Sequence, residues 1–488
     1  MDVSRGSALV LLGVGLVVAT MAVGAATAPD RSVGGVDAST PTPTPADGTA
    51  TPDGSDGETP TEAPLPESPR TLVGVQGGWV THGSVLGYDG GSVEWRNTQA
   101  DGYFEVTRLD NGTVLAAFAN ESSEECGDIP APCARTGYRI IEPGSGEIRS
   151  EYSFPVREIT NREVHAADPT GNGGIVFTDM DEERIAIVEN GTVVWEWHAS
   201  SFYEAPEDPT SRDWLHINDV DTIGDGRFLV SVRNANQILV VERGEGVVEV
   251  VNEDTGTSDA NCLTDTRLYD ADGDGDVRCG DPSVIKEQHN PQWLGNGAVL
   301  VADSENDRVV ELHRTENGSW EPAWIVDGLH WPRDADRLPN GNTLITDSLG
   351  KRVIEVNPEG KVVWSVATDD DVTSGPGIPY EADRLPYGEF AGSYDDGNET
   401  PSDGNGTVGP TKTPLPRMNG SGSLGGPTGG GIPLLSLAVA GIQGSVAQVP
   451  FWFRETHLAV SVLGLVLVLV GGVDHLRATR DRPLIGGE

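Results

Sequence analysis

One phrase returns five times along this chain. "FEVTRLDNGTVLAAF" (104–118), "VHAADPTGNGGIVFTDMDEERIAIVENGTVVWEW" (164–197), "LHINDVDTIGDGRFLVSVRNANQILVVERGEGVVEVV" (215–251), "EQHNPQWLGNGAVLVADSENDRVVEL" (287–312) and "LHWPRDADRLPNGNTLITDSLGKRVIEVNPEGKVVWSV" (329–366) share an order of parts. A strand leads to a Gly-containing turn, an alternating strand, a polar turn and a strand such as "RVIEV". Another Gly turn and "KVVWSV" follow. Four short strands per unit, joined by turn dipeptides and repeating every roughly 40 residues or more, are the pattern of a β-propeller blade. A sandwich is the competing all-β architecture, but it does not account for a histidine and a Gly turn recurring together. "PYEADRLP" (379–386) echoes "PRDADRLP" (332–339) and opens a further blade that lacks its later strands. "TLVGVQGGWV" and "GSVEWRN", within 71–97, are placed to supply them, which gives about six blades closed by strands from both ends.

The propeller is expected over residues 70–394, with an insertion near 255–285. The segments around it are of different character. Residues 29–69 and 395–431 are rich in Pro, Thr, Gly and acid and hold too few apolar side chains to bury, so both read as disordered stalks. Residues 1–28 contain the apolar run "SALVLLGVGLVVATMAVGAATA", a transmembrane anchor, with Ala26-Thr27-Ala28 leaving signal-peptidase cleavage as the alternative. A second transmembrane helix is expected at 456–474, and 432–453 reads as either another membrane arm or an interfacial segment. Arg477, Arg480 and Arg482 make 475–488 a cytoplasmic tail, which places the propeller on the extracytoplasmic side of the cell membrane.

Two close cysteine pairs, Cys126 with Cys133 and Cys262 with Cys279, suit local disulfides in that compartment. Asn111, Asn120, Asn190, Asn317, Asn398, Asn405 and Asn419 head glycosylation triplets of the kind that Asn-Gly turns also create by chance. Acidic residues number 76 against 32 basic, a net charge of −44, which excludes nucleic-acid binding by phosphate neutralisation and reads as halophilic adaptation.

The first strand of a propeller blade lines the central channel, so equivalent positions in successive blades converge. His165, His216, His289 and His330 are expected at that place in four consecutive units. His82, His198, His313, His457 and His475 read as structural. Trp214, Trp293 and Trp331 flank channel strands, where stacking on an aryl ligand competes with core packing.

"WLHINDVD", "FLVSVRNANQI" and "QHNPQWLGNGAVLVADSENDRVVEL" resemble the PAPS-independent arylsulfate sulfotransferases of bacteria and archaea, here of a haloarchaeal, membrane-anchored type, over about residues 100–395. The resemblance implies a six-bladed propeller that moves a sulfuryl group from an aryl sulfate donor to a phenolic acceptor with no catalytic cofactor. It makes His289, after Gln288, the nucleophile that becomes a sulfohistidine. His216 and Arg233 match the His and Ser-x-Arg pair of an earlier blade, and His165 matches a further histidine upstream. His330 falls outside the set carried over, and the extra N-terminal β domain of many members is not expected here.

The chemistry is sound on residue types alone. A neutral imidazole is a good nucleophile, a guanidinium pairs with sulfonyl oxygens, and further histidines serve as acid, base or hydrogen-bond donor. Three histidines also suit zinc, a second reading that Arg233 as a neighbour disfavours. Arg333, Asp334 and Asp336 read as blade-turn scaffolding, because "YEADRLP" repeats their motif without the histidine. In "DADGDGDVRCGD" (270–281) the carboxylates Asp270, Asp272, Asp274, Asp276 and Asp281 have calcium-loop spacing, and a structural calcium ion pinned by Cys262 and Cys279 is expected. A non-catalytic extracellular binding or adhesion propeller is the main alternative function, and a calcium-stabilised ester hydrolase the third. The oligomeric state is left open.

Overall fold

The computed structural model describes residues 5–27, 69–77, 83–253, 267–295, 297–368, 377–388, 422–423 and 455–480. Its centre is a six-bladed β-propeller of four-stranded antiparallel sheets. From the channel outward, blade 1 is Ile378–Leu385, Arg70–Gly77, Ser84–Asp89 and Ser92–Asn97. Blade 2 is Gly102–Arg108, Val114–Ser123, Cys133–Glu142 and Glu147–Val156, and blade 3 is Ala167–Pro169, Ile175–Asp179, Arg184–Glu189 and Thr192–His198. Blade 4 is Ile217–Gly224, Arg227–Val232, Gln237–Glu242 and Gly246–Val251; blade 5 is His289–Gly295, Ala298–Asp303, Arg308–Arg314 and Trp320–Asp327. Blade 6 is Asp334–Arg337, Thr343–Asp347, Arg352–Val356 and Val362–Ala367. The predicted closure is present: Ile378–Leu385 pairs antiparallel with Arg70–Gly77, from Arg70 opposite Leu385.

Periodicity in the sequence follows depth in the blade. Second strands such as "AVLVAD" are buried along their whole length, whereas outer strands such as "TVVWEWH" bury alternate residues more deeply. Between each pair of neighbouring blades lies one apolar cluster, six in all. The close approach needs glycine at Gly74, where a Cβ would stand 1.8 Å from the Phe104 carbonyl oxygen of blade 2.

Side chains also lock blade to blade. In blades 3 to 6 the residue before the third strand, Glu183, Asn236, Asp307 or Lys351, has left-handed backbone with φ of 49°, 54°, 54° and 54°. Three of these reach the segment entering the next blade. Glu183 accepts the backbone N–H groups of Leu215, His216 and Ile217 at 2.9, 2.7 and 3.0 Å. Asn236 accepts that of Glu287 at 3.0 Å, and Asp307 that of Trp331 at 2.8 Å. His216, Glu287 and Trp331 are themselves left-handed (φ 57°, 45° and 53°), a conformation that costs a non-glycine residue about 1 kcal/mol or more. Within blades 3, 5 and 6 an Asp ending the second strand pairs with an Arg opening the third: Asp179–Arg184, Asp303–Arg308 and Asp347–Arg352, at 2.9, 2.6 and 2.7 Å. Blade 4 has Val232 and Gln237 there.

Cys126 and Cys133 form the expected disulfide; Cys279 is also disulfide-bonded, while Cys262 lies outside the described residues. So do residues 29–68, 389–421, 432–453 and 481–488, covering most of the expected stalks, the membrane-associated segment and the end of the tail. Gly422–Ser423, within the expected linker, instead pairs in parallel with the outer strand of blade 5. Two helices, α1 (Arg5–Thr27) and α2 (Glu455–Arg480), occupy the expected spans, α2 running on into the expected tail. They cross where a Cβ on Gly13 would lie 2.4 Å from the Gly464 carbonyl oxygen. Their side chains are described only within 9–21 and 457–473, and among the described residues no helix is long and apolar enough to cross a membrane.

Removing the Glu183 carboxylate strands three buried backbone N–H groups. Glu183→Ala should therefore lose about 3 kcal/mol or more of stability, read as a lowered midpoint in urea unfolding, with a larger loss than Asn236→Ala.

Candidate functional site

One backbone contact repeats around the channel and fixes which residues face it together. Asp168 accepts the N–H of Thr222, Gln292 that of Arg337, and Asp383 that of Arg108, each from the next blade, at 2.8, 2.8 and 3.4 Å. Counting back three residues from each acceptor and four from each donor gives Phe104, His165, Asn218, His289, Arg333 and Tyr380, one per blade. Ring contacts join several of them. Phe104 and His165 have centroids 4.5 Å apart, His165 and Tyr380 5.0 Å, and His289 and Tyr380 6.0 Å.

The four histidines are therefore not in register, contrary to expectation. His165 and His289 hold ring positions. His216 precedes the ring residue Asn218 by two, and its imidazole meets His165 at 5.6 Å. His330 lies three residues before Arg333, its N–H held by Asp347 at 2.6 Å. Blade 4 slips between Ile217 and Asp219, and blade 5 between His289 and Gln292, so equal distance from a turn is not equal register.

Hydrogen bonds assign the imidazole protons. The Ser304 hydroxyl donates to the Pro332 carbonyl at 2.7 Å, so it accepts from His289 Nδ1 at 2.8 Å. This leaves the lone pair of neutral His289 on Nε2. Asp213 Oδ1 lies 2.9 Å from His216 Nδ1; burial alone would raise the Asp213 pKa, but His216, Arg233 and Arg267 bring it to about 2. The carboxylate thus accepts from Nδ1, and His216 also presents a bare Nε2. The Tyr380 hydroxyl, kept protonated by burial, stands 2.9 Å from His165 Nδ1 and 3.5 Å from the Asn218 carbonyl oxygen; donation over the shorter contact places the His165 proton on Nε2. That Nε2 is buried without a hydrogen-bond partner among the described residues.

Burial first, and then surrounding positive charge, keeps the ring histidines neutral. His289 is pushed well below 6.5 by burial, Arg333 and Arg233, and His165 by burial, His216 and Arg333. His216 is lowered less, because Asp213 opposes its burial. Glu163, two residues before His165, is raised by burial to about 7, with Oε2 4.0 Å from His165 Nε2. Arg233 gives its Nε to Glu287 Oε2 at 3.1 Å, while Arg267 stands 3.9 Å from Glu287 and 3.8 Å from Asp213. Two guanidiniums and two carboxylates therefore balance on that side. The interactions overlooked in the sequence are those of Ser304, Asp213, Glu287 and Tyr380.

Of the three tryptophans, Trp214 and Trp293 are fully buried in inter-blade cores. Trp331 is half-buried and faces His289 at 6.2 Å. Asp334 and Asp336 act as scaffolding: Asp334 accepts from Thr346 Oγ1 and the Ala382 N–H, and Asp336 from Gln292 Nε2. The histidine nitrogens do not converge as a metal set. Among the described residues the side chains that do are Glu204, Asp270 and Asp272, a largely exposed acidic cluster. Asp274, Asp276 and Asp281 are not part of it, and carboxylates inside and outside the cluster alike, those of Glu204, Asp270, Asp272, Asp274 and Asp281, accept backbone N–H groups of the loop.

The arylsulfotransferase (ASST) family model matches residues 196–369, a span containing His216, Arg233, His289 and Arg333 but not His165. No curated protein matches. Among solved structures, a protein of unknown function from Bacteroides caccae is 17% identical, with 65% of this chain and 100% of that one covered at a TM-score of 0.43. The periplasmic gluconolactonase PpgL of Pseudomonas aeruginosa is 14% identical, with 65% and 99% covered at 0.41. Virginiamycin B lyase from Staphylococcus aureus is 12% identical, with 54% and 68% covered at 0.31. None of these likenesses to solved structures bears on the chemistry.

The proton assignment has a direct readout. Nitrogen-15 spectra at neutral pH should show His289 uncharged with its proton on Nδ1, and Ser304→Ala should give a mixture of tautomers.

Proposed function

We propose that this protein carries a sulfuryl group from an aryl sulfate to a phenol through an N-sulfohistidine on His289. The observation carrying this reading is the Ser304 hydrogen bond, which points the His289 proton away and leaves Nε2 nucleophilic in a ring that keeps it neutral. The arylsulfotransferase match over 196–369 supports the reaction class.

In the first half, Nε2 attacks sulfur. The N–S bond forms as the bond to the aryl oxygen breaks, and that oxygen leaves with the electron pair. The His165 Nε2–H, short of an acceptor, donates to a sulfuryl oxygen as charge shifts. In the second half the acceptor phenol attacks sulfur while its proton passes to His216 Nε2, oriented by Asp213. The N–S bond breaks and its electrons return to His289. The imidazolium formed at His216 then protonates the phenolate leaving in the next cycle, so protons balance. Arg233 contributes positive field from behind Glu287.

Tethering by α1 and α2, with the propeller extracytoplasmic, belongs to the same reading, on the strength of their apolar runs and the arginines after residue 476. The full chain, expected in the membrane fraction, should release nitrophenolate from 4-nitrophenyl sulfate only when a phenol is added. His289→Asn should lower that rate by about a thousandfold or more. Because protonation removes the Nε2 lone pair and the site holds His289 below its ordinary value, kcat/KM for this activated donor should stay level as pH falls through 6.5 and drop only below it. Absence of release from folded wild-type protein with several donors would favour a non-catalytic binding propeller.

A structural calcium ion on Glu204, Asp270 and Asp272 is a separate part of the proposal, motivated by their convergence. Millimolar calcium should raise the melting temperature of the wild type but not of Asp270→Asn; equal melting with and without calcium rejects it.

A further inference from the structure

Of the six ring residues, Phe104, Asn218 and Tyr380 are uncharged and His165 and His289 are held neutral, which leaves Arg333 as the ring's cation. It occupies in blade 6 the position that His289 occupies in blade 5. Its guanidinium is clamped between aromatic faces, with its carbon 4.3 Å from the Trp331 ring centroid and 4.9 Å from that of Tyr380. The same two rings flank His289, at 6.2 and 6.0 Å, so the cation and the nucleophile share walls.

Arg333 is 5% exposed. One Nη donates to Gln76 Oε1, and Nε, also buried, donates to nothing among the described residues. The two guanidiniums on the Asp213 side each have a carboxylate: Arg233 has Glu287, and Arg267 stands near both Glu287 and Asp213. No ion pair among the described residues includes Arg333. Glu163 acts on Arg333 only from beyond ion-pair distance and is itself raised by burial to about 7, so the buried cation is not neutralised; such a charge costs several kcal/mol of lost hydration, and an anion is the ligand that recovers it. Burial lowers its pKa to about 10, which still leaves it charged at neutral pH.

Resting on the sulfuryl-transfer reading, we propose that Arg333 is the residue that binds the sulfate ester's anionic oxygens beside His289, and that Arg233 is a positioning residue acting through Glu287. The planar fork of Arg333, fixed by Gln76 and two aromatic rings, presents Nε and its remaining Nη to two oxygens of one –OSO3⁻ group.

The test uses the full chain carrying His289→Asn, which cannot form the sulfohistidine, titrated calorimetrically with 4-nitrophenyl sulfate. Adding Arg333→Met should raise Kd about tenfold or more, and Arg333→Lys should fall between, since it keeps charge but loses the fork. Arg233→Lys should weaken binding less than Arg333→Lys does. In protein with His289 intact, Arg333→Met should also move the acid limb of kcat/KM upward toward 6.5, because a positive charge acting on His289 is gone. Unchanged Kd in Arg333→Met with an unaltered circular dichroism spectrum overturns the proposal, as does a larger effect at Arg233→Lys. Should Arg333→Met fail to fold, the Arg333→Lys against Arg233→Lys comparison decides alone. Binding is measured without turnover, so a wild type that binds through Arg333 yet transfers nothing would defeat the sulfuryl-transfer reading and leave this one standing.

Discussion

The left-handed residue before the third strand in blades 3, 4 and 5 is the joint on which the site rests. Glu183, Asn236 and Asp307 reach across a blade boundary and take the backbone N–H groups of His216, Glu287 and Trp331, residues whose own conformation is unfavourable. Each strained turn sets a side chain against a site residue: His216 against His165, Glu287 on Arg233 and Trp331 against His289. The inter-blade apolar clusters supply the bulk of cohesion. These few polar contacts decide where the chain sits when it enters a blade, and so where an imidazole or guanidinium ends up.

The architecture was legible because a blade is a local object. Its strands, turns and alternation are written in about 40 residues, and even the closure by residues 70–77 and 378–385 showed in the echo of "PRDADRLP" in "PYEADRLP". Register was not legible in the same way. A bulge between Ile217 and Asp219, and another at His289, displaces side chains by a residue while leaving the hydrophobic pattern intact. The same echo, read for its difference instead of its likeness, sets Arg333 against Tyr380, two ring positions with opposite chemistry.

Departures from the repeat mark the site more sharply than the repeat does. Three blades end their second strand with Asp and open the third with Arg, a pair that stitches the blade internally. Blade 4 gives up both partners for Val232 and Gln237, and the next residue along, Arg233, turns to Glu287 of the following blade. Its counterpart in blade 5 is Ser304, which holds His289. One structural slot thus carries a cation in one blade and an imidazole-orienting hydroxyl in the next. The partners Asp213 and Glu287 lie at loop positions with no periodic pattern, where only three-dimensional proximity gives them meaning.

The pairing of Arg70 with Leu385 has a mechanical consequence. Antiparallel neighbours place the incoming and outgoing chain at one end of one ladder, so both flanking segments leave from the same corner of the ring. Tension that draws the two segments together in one direction loads this corner without sliding the strands past each other. Tension that separates them peels the ladder one rung at a time, starting at Arg70 and Leu385, the weak geometry for a hydrogen-bonded pair. Once the two-residue pairing of Gly422–Ser423 with blade 5 has parted, the other blades lie outside that load path, so the channel keeps its shape until the first blade has opened.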